Sequence, residues 1–258
     1  MEITFYKYQG TGNDFVMVDN RAKTFPKNNT KIISQLCHRN FGVGADGLIL
    51  LENDDTTDFR MVYYNADGNE STMCGNGGRC IVAFANKLGV INNKTTFIAI
   101  DGLHVAEVDN DIVKLQMIDV DTVTIHENYA FANTGSPHHV ELVENIGDYD
   151  VFSNGRKLRN SIYGKEGSNI NFVEQTNTNS FRVRTYERGV ENETLACGTG
   201  VTAVALAMHK LNKIESNTVD LQVEGGNLAV TFDYTDNSYK NIHLIGPATF
   251  VFKGSIEI

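Results

Sequence analysis

Residues 74–77 read Cys-Gly-Asn-Gly, and 123 residues further on residues 197–200 read Cys-Gly-Thr-Gly. The match extends in both directions at this spacing or at one residue less. The further matched pairs are Thr11-Gly12 with Thr134-Gly135, Phe59-Arg60 with Phe181-Arg182, and Lys87-Leu88 with Lys210-Leu211. Because the pairs keep their order over most of both halves, the sequence predicts an internal duplication.

Each half contains the same succession of predicted elements. Alternating stretches such as Phe59 to Tyr64 predict strands, and one helix is expected after each glycine-rich turn, from Gly75 to about Leu88 and from Gly198 to about Leu211. The two helices are apolar nearly all round, so each should be buried. The predicted fold class is α+β, with two pseudo-symmetric domains, each a mainly antiparallel sheet wrapped around a central buried helix.

The length of 258 residues favours two domains of ordinary size. The duplication places them at residues 1–118 and 119–247, each with one of the repeated cysteines. A strand-like segment follows Pro247, and we expect residues 248–258 to return to the first domain.

Composition and charge exclude several classes of protein. The net charge of −10 argues against a nucleic-acid partner, and no apolar stretch is long enough to suggest a membrane partner. Four cysteines, without a Cys-x-x-Cys pair, predict reduced thiols and no metal site. The N-terminal residues lack the pattern of a secretory signal, so a cytoplasmic protein is expected.

The two repeated turns suggest proton chemistry at a carbon atom. A helix N-terminus lowers the pKa of a thiol, and Cys74 and Cys197 stand where the two predicted helices begin. The glycines beside them let backbone N–H groups approach a carboxylate directly. A thiolate base and a thiol acid, acting on opposite faces of one α-carbon, would invert its configuration.

Other functions are compatible with the same residues. Cys74 and Cys197 could form a switchable disulfide in a redox protein, and two domains with a carboxylate clamp could form a solute-binding module. Cys37 and Cys80 are expected to be small buried hydrophobes, since neither follows the repeated pattern.

Five motifs together resemble those of diaminopimelate epimerases, from residue 4 to about residue 250. They are Gly10-Thr11-Gly12-Asn13-Asp14-Phe15, Tyr64-Asn65-Ala66-Asp67-Gly68, Cys74-Gly75-Asn76-Gly77-Gly78-Arg79, Tyr186-Glu187-Arg188-Gly189 and Ala196-Cys197-Gly198-Thr199-Gly200. The resemblance implies an isomerase that interconverts LL- and meso-diaminopimelate in lysine and peptidoglycan precursor synthesis. It also implies a homodimer, a small-molecule substrate and no cofactor.

The resemblance carries over residue by residue. Cys74 and Cys197 match the proton-transferring cysteines, and His138 and Glu187 match positions thought to assist them. The positions that match the family's substrate contacts are Asn13, Asn65, Gly75, Asn76, Asn169, Glu187, Arg188, Gly198 and Thr199. Arg188 suits a distal carboxylate because its guanidinium presents a fork of donors.

This chain departs from the family pattern at two positions near the predicted site. Ser136 stands where many members have Asn, and Gly47 stands where some carry Gln. A proline-racemase-like or hydroxyproline-epimerase-like enzyme would share the duplicated fold and the paired cysteines. Arg188 and the asparagines favour a substrate with a second polar end over a cyclic amino acid.

Overall fold

The computed structural model describes residues 1–258, which form two compact units. The first comprises Met1–Leu115 and Gly246–Ile258, and the second comprises Gln116–Ile245. Strands dominate both units and helices are few, so the fold class is α+β. None of the helices is long and apolar enough to cross a bilayer.

Eighteen strands run through the chain, and they are numbered here in sequence order. They are β1 (Glu2–Gly10), β2 (Asn13–Asp19), β3 (Gly47–Glu52), β4 (Phe59–Asn65), β5 (Glu70–Ser71), β6 (Lys94–Ala99), β7 (Gly102–Asp109), β8 (Ile112–Gln116), β9 (Val123–Ile125), β10 (Ala130–Asn133), β11 (Pro137–Leu142), β12 (Asn169–Asn177), β13 (Ser180–Glu187), β14 (Asn192–Thr194), β15 (Thr218–Val223), β16 (Gly226–Thr235), β17 (Ser238–Pro247) and β18 (Thr249–Glu257). The helices are α1 (Thr30–Cys37), α2 (Gly75–Lys87), α3 (Val151–Ile162) and α4 (Gly198–Lys210).

The strands of the first unit pair in the order β18-β1-β2-β3-β4-β6-β7-β8. The β2–β3 and β4–β6 pairs are parallel and the others are antiparallel. Short strand β5 adds to β4. The C-terminal strand β18 therefore completes the sheet of the first unit by pairing with β1.

The strands of the second unit pair in the order β9-β10-β11-β12-β13-β15-β16-β17. Here the β11–β12 and β13–β15 pairs are parallel and the others are antiparallel. Short strand β14 adds to β13.

Helices α2 and α4 are the buried helices that the sequence predicts. Every residue of α2 from Gly75 to Ala85 is buried, and α4 is buried from Gly198 to Met208 except at Thr199. Each helix lies against strands of its own unit, α2 on β1, β2 and β3, and α4 on β10, β11 and β12. A helix with strands on most sides needs no polar face, which explains why both sequences are apolar nearly all round.

The expectation of one helix in each half was wrong, because α1 and α3 cover a second surface of each sheet. Side chains of α1 such as Ile33 pack on Leu48 and Leu50 of β3, and Val151 of α3 packs on Phe172 of β12. Each of the two buries only one face, at positions such as Ile33, Leu36 and Cys37 of α1, and so lacks the continuous apolar sequence that marks α2 and α4. Their sequence signals are this one-sided apolar spacing and the caps, since Asn29 and Asp150 each accept a hydrogen bond from a backbone N–H in the first turn.

The ends of a few strands place the predicted functional residues beside the first turn of α2 or α4. In the first unit, Asn13 begins β2, and Asn65 at the end of β4 lies opposite Gly47 at the start of β3. In the second unit, His138 near the start of β11 lies opposite Asn169 at the start of β12. Within each unit these residues are distant in sequence, and the strand register places them opposite each other.

Candidate active site

Cys74 is the N-cap residue of α2, with its backbone extended and its side chain at the helix start. Its Sγ accepts a hydrogen bond from the backbone N–H of Gly77 at 3.2 Å and lies 3.9 Å from Oδ1 of Asn13. A backbone N–H that points at sulfur stabilises the thiolate more than the thiol. The Gly77 N–H therefore favours a thiolate at Cys74, and when the sulfur is protonated its S–H can donate to Oδ1 of Asn13.

A hydrogen-bonded chain orients the amide of Asn13 beside this sulfur. Asn13 Oδ1 accepts from Asn76 Nδ2 at 3.4 Å, and Asn13 Nδ2 donates to Asp46 at 2.6 Å. Asp46 is in turn bound by Arg39 at 2.7 Å. The predicted residues Asn13, Cys74 and Asn76 thus come together as one group.

Arg39 also anchors Asp14, the neighbour of Asn13. Burial acts against ionisation of Asp14, but hydrogen bonds from Arg39 and Lys7 outweigh it and lower the pKa to about 2. The ion pairs measure 2.8 Å to Arg39 and 2.6 Å to Lys7. Charged side chains therefore hold the start of β2, where Asn13 lies.

Arg79 is a site residue that the sequence reasoning missed. Its side chain is fully buried, and its Nη2 donates to Thr11 Oγ1 at 3.1 Å and to Asn76 Oδ1 at 3.2 Å. No carboxylate pairs with it, and burial lowers its pKa while the nearby thiols of Cys80 and Cys74 act in the opposite direction. Burying a cation without a carboxylate partner costs free energy. Arg79 is close enough to Cys74 to interact with it electrostatically, so its positive charge favours an anion at the N-terminus of α2. The available signal was a single arginine inside an apolar helix.

Asn65 and Gly47 occupy adjacent strand ends in the first unit. Asn65 is exposed and starts a turn in which the Gly68 N–H donates to its carbonyl at 2.9 Å. A Cβ at Gly47 would lie 2.5 Å from the carbonyl oxygen of Tyr64 and 2.6 Å from the ring of Tyr63. A glutamine side chain at position 47 would therefore clash with the Tyr64 carbonyl and the Tyr63 ring.

Cys197 is the N-cap residue of α4 and is 7% exposed. Its Sγ lies 3.5 Å from the hydroxyl oxygen of Thr199, and that oxygen lies 2.9 Å from Nε2 of His138. His138 therefore reaches the sulfur of Cys197 through the Thr199 side chain. The sequence predicted a role for the backbone of Thr199, whereas the structure adds its hydroxyl.

His138 is fully buried and electrically neutral. Burial disfavours the charged imidazolium, and the positive charge of Arg188 adds to this effect, so the pKa falls to about 3. Its Nδ1 lies 3.2 Å from Nδ2 of Asn171, a second residue that the sequence reasoning missed. Asn171 follows Asn169 by two positions and so lies on the same face of β12, which was the signal available.

Ser136, Asn169 and Arg188 form a second polar cluster in this unit. Asn169 Nδ2 donates to Ser136 Oγ at 3.0 Å, and Asn169 Oδ1 accepts from the backbone N–H of Arg188 at 2.8 Å. One guanidinium nitrogen of Arg188 lies 3.4 Å from Ser136 Oγ. The guanidinium is exposed and makes no salt bridge within the chain. It is therefore available to a carboxylate from solution.

Glu187 ends β13 immediately before Arg188. Its carboxylate accepts a hydrogen bond from Thr194 Oγ1 at 2.8 Å. The hydroxyl of Thr194 thus fixes one carboxylate oxygen of Glu187.

Comparison with known sequences identifies relatives over nearly the whole chain. The family model described as diaminopimelate epimerase matches residues 5–123 and 130–251. A diaminopimelate epimerase of Flavobacterium psychrophilum is 62% identical over 253 residues, which covers 97% of this chain and 99% of the relative.

Solved structures with the same fold are much more distant in sequence. A phenazine biosynthesis protein of the PhzF family from Bacillus anthracis has a TM-score of 0.79 at 14% identity, with all of both chains covered. A hydroxyproline epimerase from Agrobacterium vitis has a TM-score of 0.66 at 14% identity, covering 99% of this chain and 92% of that one. At this identity the likeness establishes the fold alone.

Proposed function

Since the chain belongs to the diaminopimelate epimerase family, we propose that it interconverts LL- and meso-diaminopimelate, with one N-cap cysteine removing the α-proton and the other delivering a proton to the opposite face. The observation that carries this proposal is the placement of Cys74 and Cys197 at the starts of α2 and α4. Both proton carriers are side chains, so the proposed reaction needs no cofactor.

The reaction consists of two proton transfers at one α-carbon. The thiolate of one cysteine takes the α-proton, forming S–H as the C–H bond breaks, and the electron pair delocalises into the carboxylate. The thiol of the other cysteine then protonates the opposite face of that carbon and becomes the thiolate. The two sulfurs have exchanged states, and the reverse reaction runs from there.

The first turns of α2 and α4 are suited to the carboxylate next to that carbon. The first N–H groups of a helix have no carbonyl partner within the helix and point toward an incoming anion. We assign the substrate carboxylate to the backbone N–H groups of Gly75, Asn76, Gly198 and Thr199. Oriented donors stabilise the negative charge as it develops, which lowers the barrier to proton removal.

The remaining polar residues are assigned to the other end of the substrate. Arg188, which makes no internal salt bridge, is suited to the distal carboxylate, with Ser136 and Asn169 beside it. Asn13, Asn65 and Glu187 are proposed to bind the amino groups and the chain of the substrate. A proline-like substrate has no second charged end, so Arg188 favours diaminopimelate over a cyclic amino acid.

We further propose that the two units are pseudo-symmetric halves descended from one ancestral sequence. The same succession of parallel and antiparallel strand pairs within each unit supports this. The spacing along the chain also supports it. Helix α4 begins and ends 123 residues after α2 does, and Cys197 follows Cys74 by the same 123 residues.

The cellular setting that we propose is the cytoplasm, because two cysteines in acid–base roles require a reducing compartment.

We also propose a homodimer. Strand β18 supports it, since this long strand pairs only with β1 and exposes Val251 and Phe252. Exposed apolar strands at a sheet edge favour association with another chain.

Incubation with LL-diaminopimelate in heavy water tests the reaction. We expect the meso form to accumulate with deuterium at the inverted α-carbon, because the proton delivered comes from a thiol that exchanges with solvent. Epimerisation that retained the original proton would refute the two-cysteine assignment, and the absence of meso product would refute the function itself.

Replacement of Cys74 or Cys197 by alanine should reduce epimerisation by several orders of magnitude. The matched control is Cys37→Ala, because Cys37 is buried in α1 and its burial raises the thiol pKa to about 12. We expect Cys37→Ala to remain active, while substantial activity in Cys197→Ala would rule out a two-base mechanism.

A further inference from the structure

We propose that Asn171 holds the proton of His138 on Nε2, so that the Thr199 hydroxyl donates its hydrogen bond to the sulfur of Cys197. This assigns positioning roles to Asn171 and to the Thr199 side chain, and it rests on the proposed function of Cys197. The three side chains and the sulfur are named below as the Asn171–Cys197 chain.

The contacts of Asn171 determine the orientation of its amide. Its Nδ2 donates to the carbonyl of His139 at 2.7 Å, and a carbonyl can only accept. Its Oδ1 accepts from Thr185 Oγ1 at 3.0 Å. The amide nitrogen is therefore the atom 3.2 Å from His138 Nδ1, and it faces that ring nitrogen as a donor.

The tautomer of His138 follows from this donor. A ring nitrogen that accepts a hydrogen bond carries no proton, so the proton of the neutral imidazole lies on Nε2. Nε2 then donates to Thr199 Oγ1, 2.9 Å away. The Thr199 hydroxyl has its acceptor site occupied by this bond, and its own proton is directed to Cys197 Sγ at 3.5 Å.

The Asn171–Cys197 chain stabilises a thiolate at Cys197 without accepting the proton of the thiol. Burial keeps His138 neutral, and Arg188 is the charged group that acts on it. His138 is therefore a hydrogen-bond donor at neutral pH, since it is too weak a base to deprotonate a thiol. When Cys197 receives the substrate proton, the Thr199 hydroxyl can turn without any other proton leaving the chain.

The first unit lacks this arrangement at the equivalent positions. The repeat places Phe15 where the second unit has His138, and it places Ile49 where the second unit has Asn171. The strand registers agree, since Met17 pairs with Ile49 as Val140 pairs with Asn171. Phe15 and Ile49 are both fully buried and apolar. The polar chain is therefore a feature of the Cys197 half alone and is not required by the fold.

The experiment measures the pH at which the Cys197 thiolate forms, by its ultraviolet absorbance in a Cys74→Ser background. Burial raises the thiol pKa of Cys37 and Cys80 to about 12, so a thiolate that forms at lower pH in this background is assigned to Cys197. We expect Thr199→Val to raise the midpoint by about one pH unit, a tenfold change worth about 1.4 kcal/mol. Asn171→Ala should shift it in the same direction, because His138 is then no longer confined to the Nε2–H tautomer.

Two matched variants separate the hydroxyl's role from a packing effect. Thr199→Ser restores the hydroxyl and should return the midpoint toward the unsubstituted value. Thr202→Val makes the same substitution one turn later, where the hydroxyl binds the Gly198 carbonyl at 2.9 Å, and should leave the midpoint unchanged. An unchanged midpoint in Thr199→Val, or an equal shift in Thr202→Val, would overturn the proposal.

Kinetics of the intact enzyme distinguish this inference from the proposed function. In the presence of Cys74, Thr199→Val should lower kcat about tenfold and change KM little, since the backbone N–H of residue 199 is retained. An enzyme that epimerises normally with this substitution refutes the chain and leaves the function standing. Failure of the unsubstituted protein to epimerise refutes the function, while the thiol titration still tests the chain.

Discussion

The polar side chains that lie near Cys74 differ from those near Cys197. Cys74 has the Arg79 guanidinium below it, whereas the equivalent position in α4 is Thr202, which only binds the Gly198 carbonyl. Cys197 has instead the neutral chain of Thr199, His138 and Asn171. The first half thus uses a positive charge to favour an anion, and the second uses oriented neutral donors.

Replacement of Arg79 by methionine should lower kcat/KM by about tenfold to a hundredfold, as expected for the loss of charged hydrogen bonds. The reason is that Asn76 and Thr11 lose the donor that orients them beside Cys74. Steady-state epimerisation kinetics check this. Arg79→Lys retains the charge without the fork and should be intermediate, and wild-type kcat/KM in Arg79→Met would contradict the role given to the guanidinium.

At the scale of the element, the second glycine of each Cys-Gly-x-Gly turn, Gly77 or Gly200, belongs to the first turn of a helix, and its contacts differ between the halves. A Cβ at Gly200 would lie 2.5 Å from Oδ1 of Asn171, which is closer than real contacts allow. A Cβ at Gly77 would meet the terminal methyl of Ile49 at 3.1 Å, an atom that can move. The same glycine is therefore required more strictly in α4 than in α2.

Gly200→Ala should destabilise the protein by about 1–3 kcal/mol, because the added methyl group displaces Asn171 in a packed interior. Gly77→Ala is the matched substitution, and the helix preference of alanine should offset most of its smaller clash. Urea unfolding of both variants measures the difference. Equal losses of stability in the two variants would contradict the different packing of the two turns.

For the whole molecule, a few buried titratable groups make stability depend on pH. His138 has a pKa of about 3 in the folded protein against an ordinary 6.5, and Asp14 has about 2 against 3.8. Both values are depressed, so on acidification the unfolded chain takes up these protons first. The corresponding stability is complete above the unfolded values and is lost as the pH falls toward the folded ones.

The free energy of unfolding should therefore decrease as the pH falls below about 6.5. The decrease is about 1.4 kcal/mol per pH unit for each proton that the unfolded chain binds and the folded protein does not. His138→Phe places at this position the residue type that the first unit has at Phe15, and it removes the His138 contribution. Denaturant unfolding from about pH 6 to about pH 4 should show a shallower slope in this variant. Parallel slopes would show that His138 is not the group responsible.

Parts of the fold and site were predictable because they depend on local pattern. The buried helices followed from continuous apolar sequence after Cys74 and Cys197, and the strands around Phe59 and Phe181 followed from alternation. Helices α1 and α3 were missed because each buries only one face on a sheet, so neither contains the continuous apolar stretch that indicated α2 and α4. Their caps at Asn29 and Asp150, together with apolar residues at helical spacing, were the local signs.

The sequence by itself determined the repeated Cys-Gly-x-Gly pattern, the two N-cap cysteines and the family, because these depend on residue identity and spacing along the chain. Only the tertiary structure decided which side chains surround each sulfur. Arg79 and Asn171 become site residues because strand register and helix packing bring Thr11 to Arg79 and His138 to Asn171. Such contacts join residues far apart in sequence, and their energies depend on burial, which a linear pattern does not specify.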